Sequence, residues 1–194
     1  MSSRKTEVTK IDLRNKTRER LVENVAREAP VNLYVNDEHV TTILASPTKL
    51  REFVLGFLVG EGIIRSADDV KDIWIKDLDA KVQTISKVQT RVKAYHITRV
   101  ITTTCGSVEA YLSLLDRMDK PKVTSKLTVA AQNIRKMIEE LNRKSLDFRT
   151  TGATHASAIF IPGCKQVSFC EDVGRHNAVD KAIGEALLSS ADLS

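Results

Sequence analysis

Hydrophobic and polar positions alternate in the first third of the chain. Alternation predicts one strand over residues 31–35 and a second over residues 39–45. Asn36-Asp37 lies between them, and these residue types favour a turn, so a hairpin is expected. Residues 1–30 show neither period and predict an irregular or partly helical leader that ends at Pro30.

A helical period begins after the hairpin. Apolar residues recur at helical spacing from about Thr48 to Val59, which predicts a helix whose phenylalanines belong to the core. Ser46-Pro47 resembles an N-cap followed by proline at the first helical position. Gly60-Glu61-Gly62 is expected to end the helix.

The rest of the chain alternates between β-branched segments and segments with helical spacing. Such an order is typical of an α/β protein, here of the α+β kind with a mixed sheet. Strands are predicted over residues 70–75, 80–85, 88–104, 156–161 and 166–170, and helices over 108–118, 128–142 and 175–189. A polar connection is expected between the helix at 128–142 and the strand at 156–161.

Composition and charge narrow the classes of protein. With 194 residues, 42% hydrophobic and 28% charged, the chain is long enough for a buried core and is not a disordered protein. Residues 1–20 hold seven basic and three acidic side chains, a net charge of +4. We interpret this leader as a solvated arm, and nucleic-acid binding as the weaker alternative.

The cellular compartment is predicted from the absence of a membrane span and of a signal segment, and from the number of cysteines. Its longest apolar run, residues 53–60, is far shorter than the ~20 residues that cross a bilayer, and no apolar signal segment opens the chain. Three cysteines cannot all pair with one another. We therefore expect a cytoplasmic protein, without membrane contact, in a reducing environment.

Cys105 is the strongest single candidate for chemistry. It lies between a predicted strand and a predicted helix, where helix N–H groups and the macrodipole favour a negative sulfur. Gly106 would leave the sulfur accessible, and Ser107 could cap the helix. A buried cysteine acting as a small hydrophobe is an equally good interpretation of this local pattern.

A dense group of polar residues marks the junction between the last strand and the last helix, residues 171–181. Arg175 and the helix N-terminus together would form an anion site. At helical spacing His176 and Asp180 share one face, and Asn177 and Lys181 share another. The alternative is a capped helix with ordinary i,i+4 pairs.

Two further groups carry weaker signals. Small hydroxyl residues and one glycine in residues 151–155 could line a pocket, although His155 there is more often structural. Cys164 and Cys170 are expected to be incidental. Because the chain has no Cys-x-x-Cys pair, a zinc site is not expected.

Three motifs together resemble the FdhD family, the formate dehydrogenase accessory sulfurtransferases. They are Thr-Cys-Gly at 104–106, Thr-Gly-Ala-Thr-His at 151–155 and Glu-Asp-Val-Gly-Arg-His-Asn-Ala-Val-Asp-Lys at 171–181. Residues 30–36 and 56–64 also resemble segments of that family. The last motif is very specific, whereas Cys-Gly alone is weak.

The resemblance implies a fold and a function. The fold would have a cytidine deaminase-like core, and Cys105 would carry sulfur as a persulfide from a cysteine desulfurase to a molybdenum cofactor, bis(molybdopterin guanine dinucleotide), required by formate dehydrogenase. A homodimer, and binding of a guanine nucleotide, are also implied. The cofactor would be held by or near Gly106, Thr151, Gly152, His155, Asp172, Gly174, Arg175, His176, Asn177, Asp180 and Lys181.

The chain departs from the family's pattern in two places. Many members have a second cysteine three residues after the first, and Val108 stands there in this chain. The family usually continues beyond the last helix, whereas this sequence ends at Ser194. These departures keep a second hypothesis open, a chaperone that binds the cofactor without a covalent step.

The motifs also divide the chain and exclude one related activity. We expect a basic leader over residues 1–28, a strand-rich region over 29–104 and a deaminase-like portion over 105–194. Nucleobase deaminases need a glutamate after the helix-opening histidine and a following cysteine pair. This chain has Asn177 and Ala178 after His176, so deamination is not expected.

Overall fold

The structure is a computed structural model that describes residues 2–85 and 124–189. Eight strands, four helices and a short 3-10 turn make up these two stretches. They are β1 (Ser3–Asp12), β2 (Thr17–Ala26), β3 (Ala29–Val35), β4 (Glu38–Ala45), α1 (Leu50–Gly60), the 3-10 turn (Ala67–Asp69), β5 (Val70–Lys76), β6 (Asp79–Thr84), α2 (Ala131–Lys144), α3 (Leu146–Thr151), β7 (His155–Ile161), β8 (Lys165–Asp172) and α4 (Arg175–Leu188).

Within these residues the strands form three sheets, one of them mixed. The four-stranded sheet has the order β4-β3-β6-β5, in which β3 and β6 are parallel and the other pairs antiparallel. β1 pairs with β2, and β7 pairs with β8, each as an antiparallel hairpin. The expected α/β class with a mixed sheet is confirmed.

The core lies between the four-stranded sheet and α1. Strand β3 alternates as its sequence predicts, and Val31, Leu33 and Val35 are buried. α1 buries Phe53 and Leu58 beside them. Each fully buried side chain of this size contributes roughly 1.5–3 kcal/mol to folding, so this cluster stabilises the sheet and the helix together.

α1 also packs closely against α4, because glycine occurs at both contact points. A methyl group added to Gly56 would overlap the backbone carbonyl of Asp180, and one added to Gly184 would overlap the carbonyl of Glu52. The two helix backbones therefore touch without intervening side chains. This contact fixes α4, which carries residues 175–181 of the 171–181 motif.

The expectation of an irregular or helical leader is wrong. Residues 3–26 form the β1–β2 hairpin. Its turn is stabilised by Asp12, whose carboxylate accepts hydrogen bonds from the backbone N–H groups of Arg14 and Asn15 at 2.8 and 3.0 Å. The hydrophobic pattern missed the hairpin because most of its side chains are exposed, so alternation of burial is weak.

The predicted N-cap is also wrong. α1 begins at Leu50, and its N-cap is Lys49, which has a left-handed backbone (φ 50°) and no capping side chain. Ser46 is instead buried, and its backbone is hydrogen-bonded to Asp172 of β8 and Lys181 of α4. A local capping motif cannot reveal such a long-range role.

Over residues 124–189 the structure follows the prediction, apart from a later start of one helix and one additional helix. β7, β8 and α4 lie where strands and a helix are expected, and α2 begins at Ala131 rather than at Thr128. The connection expected to be polar and irregular contains the short helix α3. The predicted strand at 88–104 and helix at 108–118 lie outside the described residues. Among the helices that the structure describes, none has the length and apolar character of a membrane span.

Candidate functional site

The β7–β8 hairpin brings two of the sequence motifs together. β7 begins at His155, β8 ends at Asp172, and these two residues are paired across the hairpin. The 151–155 motif therefore enters the hairpin where the 171–181 motif leaves it. α4 begins at Arg175, three residues beyond Asp172, so its N-terminus lies at the same end.

A buried ion pair supports this end of the hairpin. The Lys181 ammonium group lies 2.6 Å from a carboxylate oxygen of Asp172, and both side chains are 0% exposed. The same ammonium group donates to the backbone carbonyl of Ser46 at 2.9 Å. Asp172 also accepts from the Ser46 N–H at 3.0 Å, so both charged groups bind the segment before α1.

Asp172 collects further donors from its own motif. It accepts hydrogen bonds from the Gly174 N–H at 2.8 Å and from the Asn177 side-chain amide at 3.1 Å. The Asn177 amide also donates to the carbonyl of Leu44 at 2.8 Å. The first turn of α4 is therefore fixed to β8 and to the end of β4 by buried hydrogen bonds.

Burial and charge oppose each other at Lys181. Removal from water lowers the pKa of Lys181, and the Asp172 carboxylate acts against that shift. A buried charge is tolerated only when it is paired and hydrogen-bonded, as both groups are here. The expected shared face of Asn177 and Lys181 is confirmed, and this face points into the protein.

Glu171, the neighbour of Asp172 in β8, accepts hydrogen bonds from α3 and from the 151–155 motif. Its carboxylate accepts from the N–H groups of Asp147 and Phe148 at 3.0 and 2.8 Å, which are free donors in the first turn of α3. It also accepts from the hydroxyl of buried Thr154 at 3.1 Å. The Thr151 hydroxyl donates to the carbonyl of Asp147 at 2.7 Å. The 151–155 motif is thus tied to the 171–181 motif.

The remaining predicted residues of this end face solvent or lie half-buried. Arg175 and His176 are exposed in the first turn of α4, and His155 is exposed at the start of β7. Gly152 is exposed with a left-handed backbone (φ 66°) that ends α3. Three cationic or titratable side chains and a helix N-terminus therefore share one end of the hairpin, an arrangement that suits an anion.

Asp180 lies on a different part of α4 from the buried pair. Its carboxylate faces the Gly60 end of α1 and is half-buried. Burial, with the nearby carboxylates of Glu61 and Asp172, raises the pKa of Asp180 to about 6. The structure therefore places Asp180 at the α1–α4 contact, while His176 on the same helix face is exposed.

Cys170 is a buried thiol held by two charged side chains. Its sulfur lies 3.4 Å from a carboxylate oxygen of Glu185 and 3.5 Å from the ammonium group of Lys49. Burial raises the pKa of Cys170 to about 12, so the thiol is protonated at neutral pH. Such a thiol is a poor nucleophile. Cys164 is half-buried in the β7–β8 turn.

The sequence patterns did not indicate the ion pair between Lys49 and Glu185. The two side chains form an ion pair of 2.5 Å, and Lys49 also donates to the carbonyl of Phe169 at 2.9 Å. Burial, the largest single influence, lowers the pKa of Lys49, but the hydrogen bonds and charges of Glu185 and Cys170 together outweigh it, and the net shift is upward. Since the partners are more than 100 residues apart, no local spacing could have revealed the pair.

Cys105 and Gly106 lie outside the described residues, so their predicted roles stay predictions. In the parts of the chain that are described, no three His, Cys, Asp or Glu residues are grouped as a metal site would require.

The fold matches that of a solved protein. A candidate formate dehydrogenase accessory protein from Desulfotalea psychrophila superimposes with a TM-score of 0.71 over 99% of this chain and 70% of that one, at 24% identity. At this identity the match defines the fold, a mixed α/β architecture.

The sequence defines the family. A model of the FdhD/NarQ family matches residues 26–194, and the chain belongs to that family. Proteins named sulfur carrier protein FdhD are among its relatives. The one from Shouchella clausii is 32% identical over 178 residues, and the one from Geobacillus kaustophilus is 31% identical over 166. The matched regions cover 90% and 85% of this chain but 66% and 63% of those relatives.

Proposed function

We propose that this protein carries sulfur from a cysteine desulfurase to the molybdenum cofactor on which formate dehydrogenase depends. The observation that carries the proposal is the family match over residues 26–194, which includes Cys105 and both hairpin motifs. Relatives over most of the chain are named sulfur carriers. In this role the protein is a sulfurtransferase, and the cofactor is its substrate.

Cys105 is the residue that receives the sulfur. Its thiolate attacks the terminal sulfur of the desulfurase persulfide, an S–S bond forms, and the desulfurase cysteine leaves as a thiolate. The cofactor then forms a bond to the terminal sulfur of the Cys105 persulfide and supplies the electron pair for it, the S–S bond breaks, and Cys105 leaves as a thiolate. Cys170 is not suited to the step, because it is buried and protonated at neutral pH.

The cofactor is anionic, and the exposed residues of the β7–β8 end fit an anion. Arg175 can bind phosphate oxygens with two parallel hydrogen bonds, and the N–H groups of the first turn of α4 favour negative charge. His155 and His176 are exposed beside them. We assign cofactor contact to this exposed group, together with Thr151, Gly152, Gly174 and, beside Cys105, Gly106.

The buried predicted residues have a supporting role in this proposal. Asp172, Asn177 and Lys181 hold one another and the segment before α1, so they position the first turn of α4. Asp180 lies where the same helix contacts α1. A rigid first turn keeps Arg175 and its neighbouring N–H groups aimed at one place, which reduces the ordering cost of binding.

Further features follow the same proposal. The residues 105–194 would form a cytidine deaminase-like portion, after a leader over 1–28 and a strand-rich region over 29–104. The protein would act in the cytoplasm as a homodimer, and a guanine nucleotide would occupy the site through the nucleotide part of the cofactor.

The test is formate dehydrogenase maturation in cells whose own sulfur carrier is deleted. Cys105→Ala should yield dehydrogenase that contains molybdenum but is inactive. Cys164→Ala is the matched control, because it removes a half-buried cysteine in a turn, and it should restore activity. Full activity with Cys105→Ala would contradict sulfur transfer through this residue.

The exposed anion site favours one second candidate, a chaperone that binds the cofactor and transfers no sulfur. Arg175 and the α4 N-terminus would serve such a protein without Cys105. In that case a guanine nucleotide should raise the melting temperature, Arg175→Gln should abolish the increase, and Cys105→Ala should still support dehydrogenase maturation.

A further inference from the structure

A cavity at the open end of the β1–β2 hairpin is lined by positive side chains. Its volume is about 520 Å³, and its lining consists of Ser3, Arg4, Lys5, Asn24 and Arg27. Three of these five residues are cations, and no carboxylate lines it. Cavities that bind small molecules are commonly of this size, about 300–1,000 Å³.

The hairpin register assembles this lining. Lys5 is paired with Asn24, and Ser3 with Ala26, so residues from both strands meet at one end. The Arg27 N–H donates to the Ser2 carbonyl at 2.7 Å and closes the hairpin where the cavity lies. At the opposite end the Asp12 carboxylate fixes the turn. The lining therefore sits on a backbone that is hydrogen-bonded at both ends.

The three cations have no carboxylate partner among the described residues. Acidic side chains are close in sequence, at Glu7, Glu23 and Glu28. The ion pairs present in the described chain lie elsewhere and involve none of these acids and none of the cations Arg4, Lys5 and Arg27. Three uncompensated positive charges around one concave surface repel each other, and an anion placed between them would relieve that repulsion.

We propose that this cavity binds a phosphate-bearing anion, with pyrophosphate as the class that fits best. Arginine and lysine side chains are the usual ligands of phosphate, and arginine can donate two parallel hydrogen bonds to its oxygens. The Asn24 amide and the Ser3 hydroxyl add neutral donors. A pyrophosphate has enough oxygens and charge to engage donors from both strands at once.

The residues that line this cavity are different from those assigned to the sulfur-transfer site. The family match begins at residue 26, so Arg27 is the one lining residue within it. None of the lining residues belongs to the 151–155 or 171–181 motif. Failure of anion binding at this cavity would therefore not contradict sulfur transfer by Cys105, and failure of sulfur transfer would not contradict anion binding.

The test is calorimetric titration of the whole protein with inorganic pyrophosphate at a fixed ionic strength of about 0.15 M, where the Debye length is about 8 Å. The double variant Lys5→Gln/Arg27→Gln should weaken binding at least about tenfold, because two charge-assisted hydrogen bonds are lost. The matched control is Lys16→Gln/Arg18→Gln, which removes the same two charges at the other end of the hairpin. It should change the affinity less than about twofold, since screening limits distant charges.

A parallel titration identifies the source of the phosphate. Vesicles of phosphatidylcholine with phosphatidic acid present the same group on a lipid, and sedimentation measures binding to them. Dependence on Lys5 and Arg27 in either arm supports the site, with free pyrophosphate or lipid as its ligand. Equal weakening by both double variants, or no binding of either probe at millimolar phosphate, would overturn it. Circular dichroism spectra that match the wild type show that the variants are folded.

Discussion

The ammonium group of Lys181 lies 2.6 Å from the carboxylate of Asp172, and neither side chain is exposed to solvent. Both residues come from the most distinctive motif of the chain. The two charged groups bind each other and the backbone of Ser46, and these bonds link β8 and α4 to the segment before α1. The motif therefore holds the fold together beneath its exposed residues Arg175 and His176.

Removing one partner of the Lys181–Asp172 pair should strongly lower the free energy of unfolding. Lys181→Met leaves the Asp172 carboxylate buried without its cation, and the free energy of unfolding should fall by about 3–5 kcal/mol. Asp172→Asn/Lys181→Met should cost less than the sum of the two single changes, because no charge is left unpaired. Urea unfolding measures all three. Arg135→Gln, which breaks an exposed pair with Glu139, should cost less than about 1 kcal/mol.

The glycine contact between α1 and α4 should tolerate no side chain. Gly56→Ala and Gly184→Ala each place a methyl group against a backbone carbonyl of the other helix, so the helices must separate. We expect each to lower the free energy of unfolding by more than about 2 kcal/mol. Gly152→Ala is the control. A methyl group there meets no atom, and the left-handed backbone alone should cost about 1 kcal/mol. Equal effects at the three positions would contradict the close packing.

Asp180 should make stability depend on pH. Burial, with the carboxylates of Glu61 and Asp172, raises the pKa of Asp180 to about 6, above the value of about 3.9 for an unfolded chain. Between these values the folded state binds more protons than the unfolded state, so this group's contribution to stability is lost as the pH rises. Asp180→Asn should therefore match the wild type near pH 4 and melt at a higher temperature above pH 7.

The matched control for this comparison is Asp68→Asn, which replaces an exposed carboxylate. Its difference in melting temperature from the wild type should not grow in this way between pH 4 and pH 7. A gain for Asp180→Asn that is the same at both pH values would show that ionisation of Asp180 is not its cause.

Cys170 should resist modification in the folded protein. Its pKa of about 12 leaves very little thiolate at pH 7.5, and the side chain is buried. Iodoacetamide should leave Cys170 unlabelled in native protein and should label it in urea, as peptide mass spectrometry can show. Labelling of native Cys170 as fast as of a free thiol would mean that the segment around β8 opens readily.

Local patterns in the sequence predicted those parts of the fold in which one face of an element is buried. β3 is an example, since Val31, Leu33 and Val35 alternate with less buried residues. The β1–β2 hairpin was missed because both of its faces are largely exposed and its turn depends on hydrogen bonds to Asp12. The same reasoning explains α3, whose first turn is capped by Glu171 from a distant strand.

The candidate site shows the same limit. Spacing on a helix placed Asn177 and Lys181 on one face, and that face was found. The spacing could not indicate that this face is buried, because the partners of Lys181 include Ser46, which is 135 residues away in the sequence. The pattern also assigned Ser46 to a helix cap. Long-range pairing of polar groups leaves no period in a sequence, so these roles emerged with the structure.

The most direct test of sulfur transfer is peptide mass spectrometry after incubation of the protein with a cysteine desulfurase and cysteine. The Cys105 peptide should gain about 32 Da, the mass of one sulfur atom, and should lose it on reduction with dithiothreitol. The Cys170 peptide should gain nothing. A Cys105 peptide that stays unmodified while the desulfurase itself carries a persulfide would contradict the account.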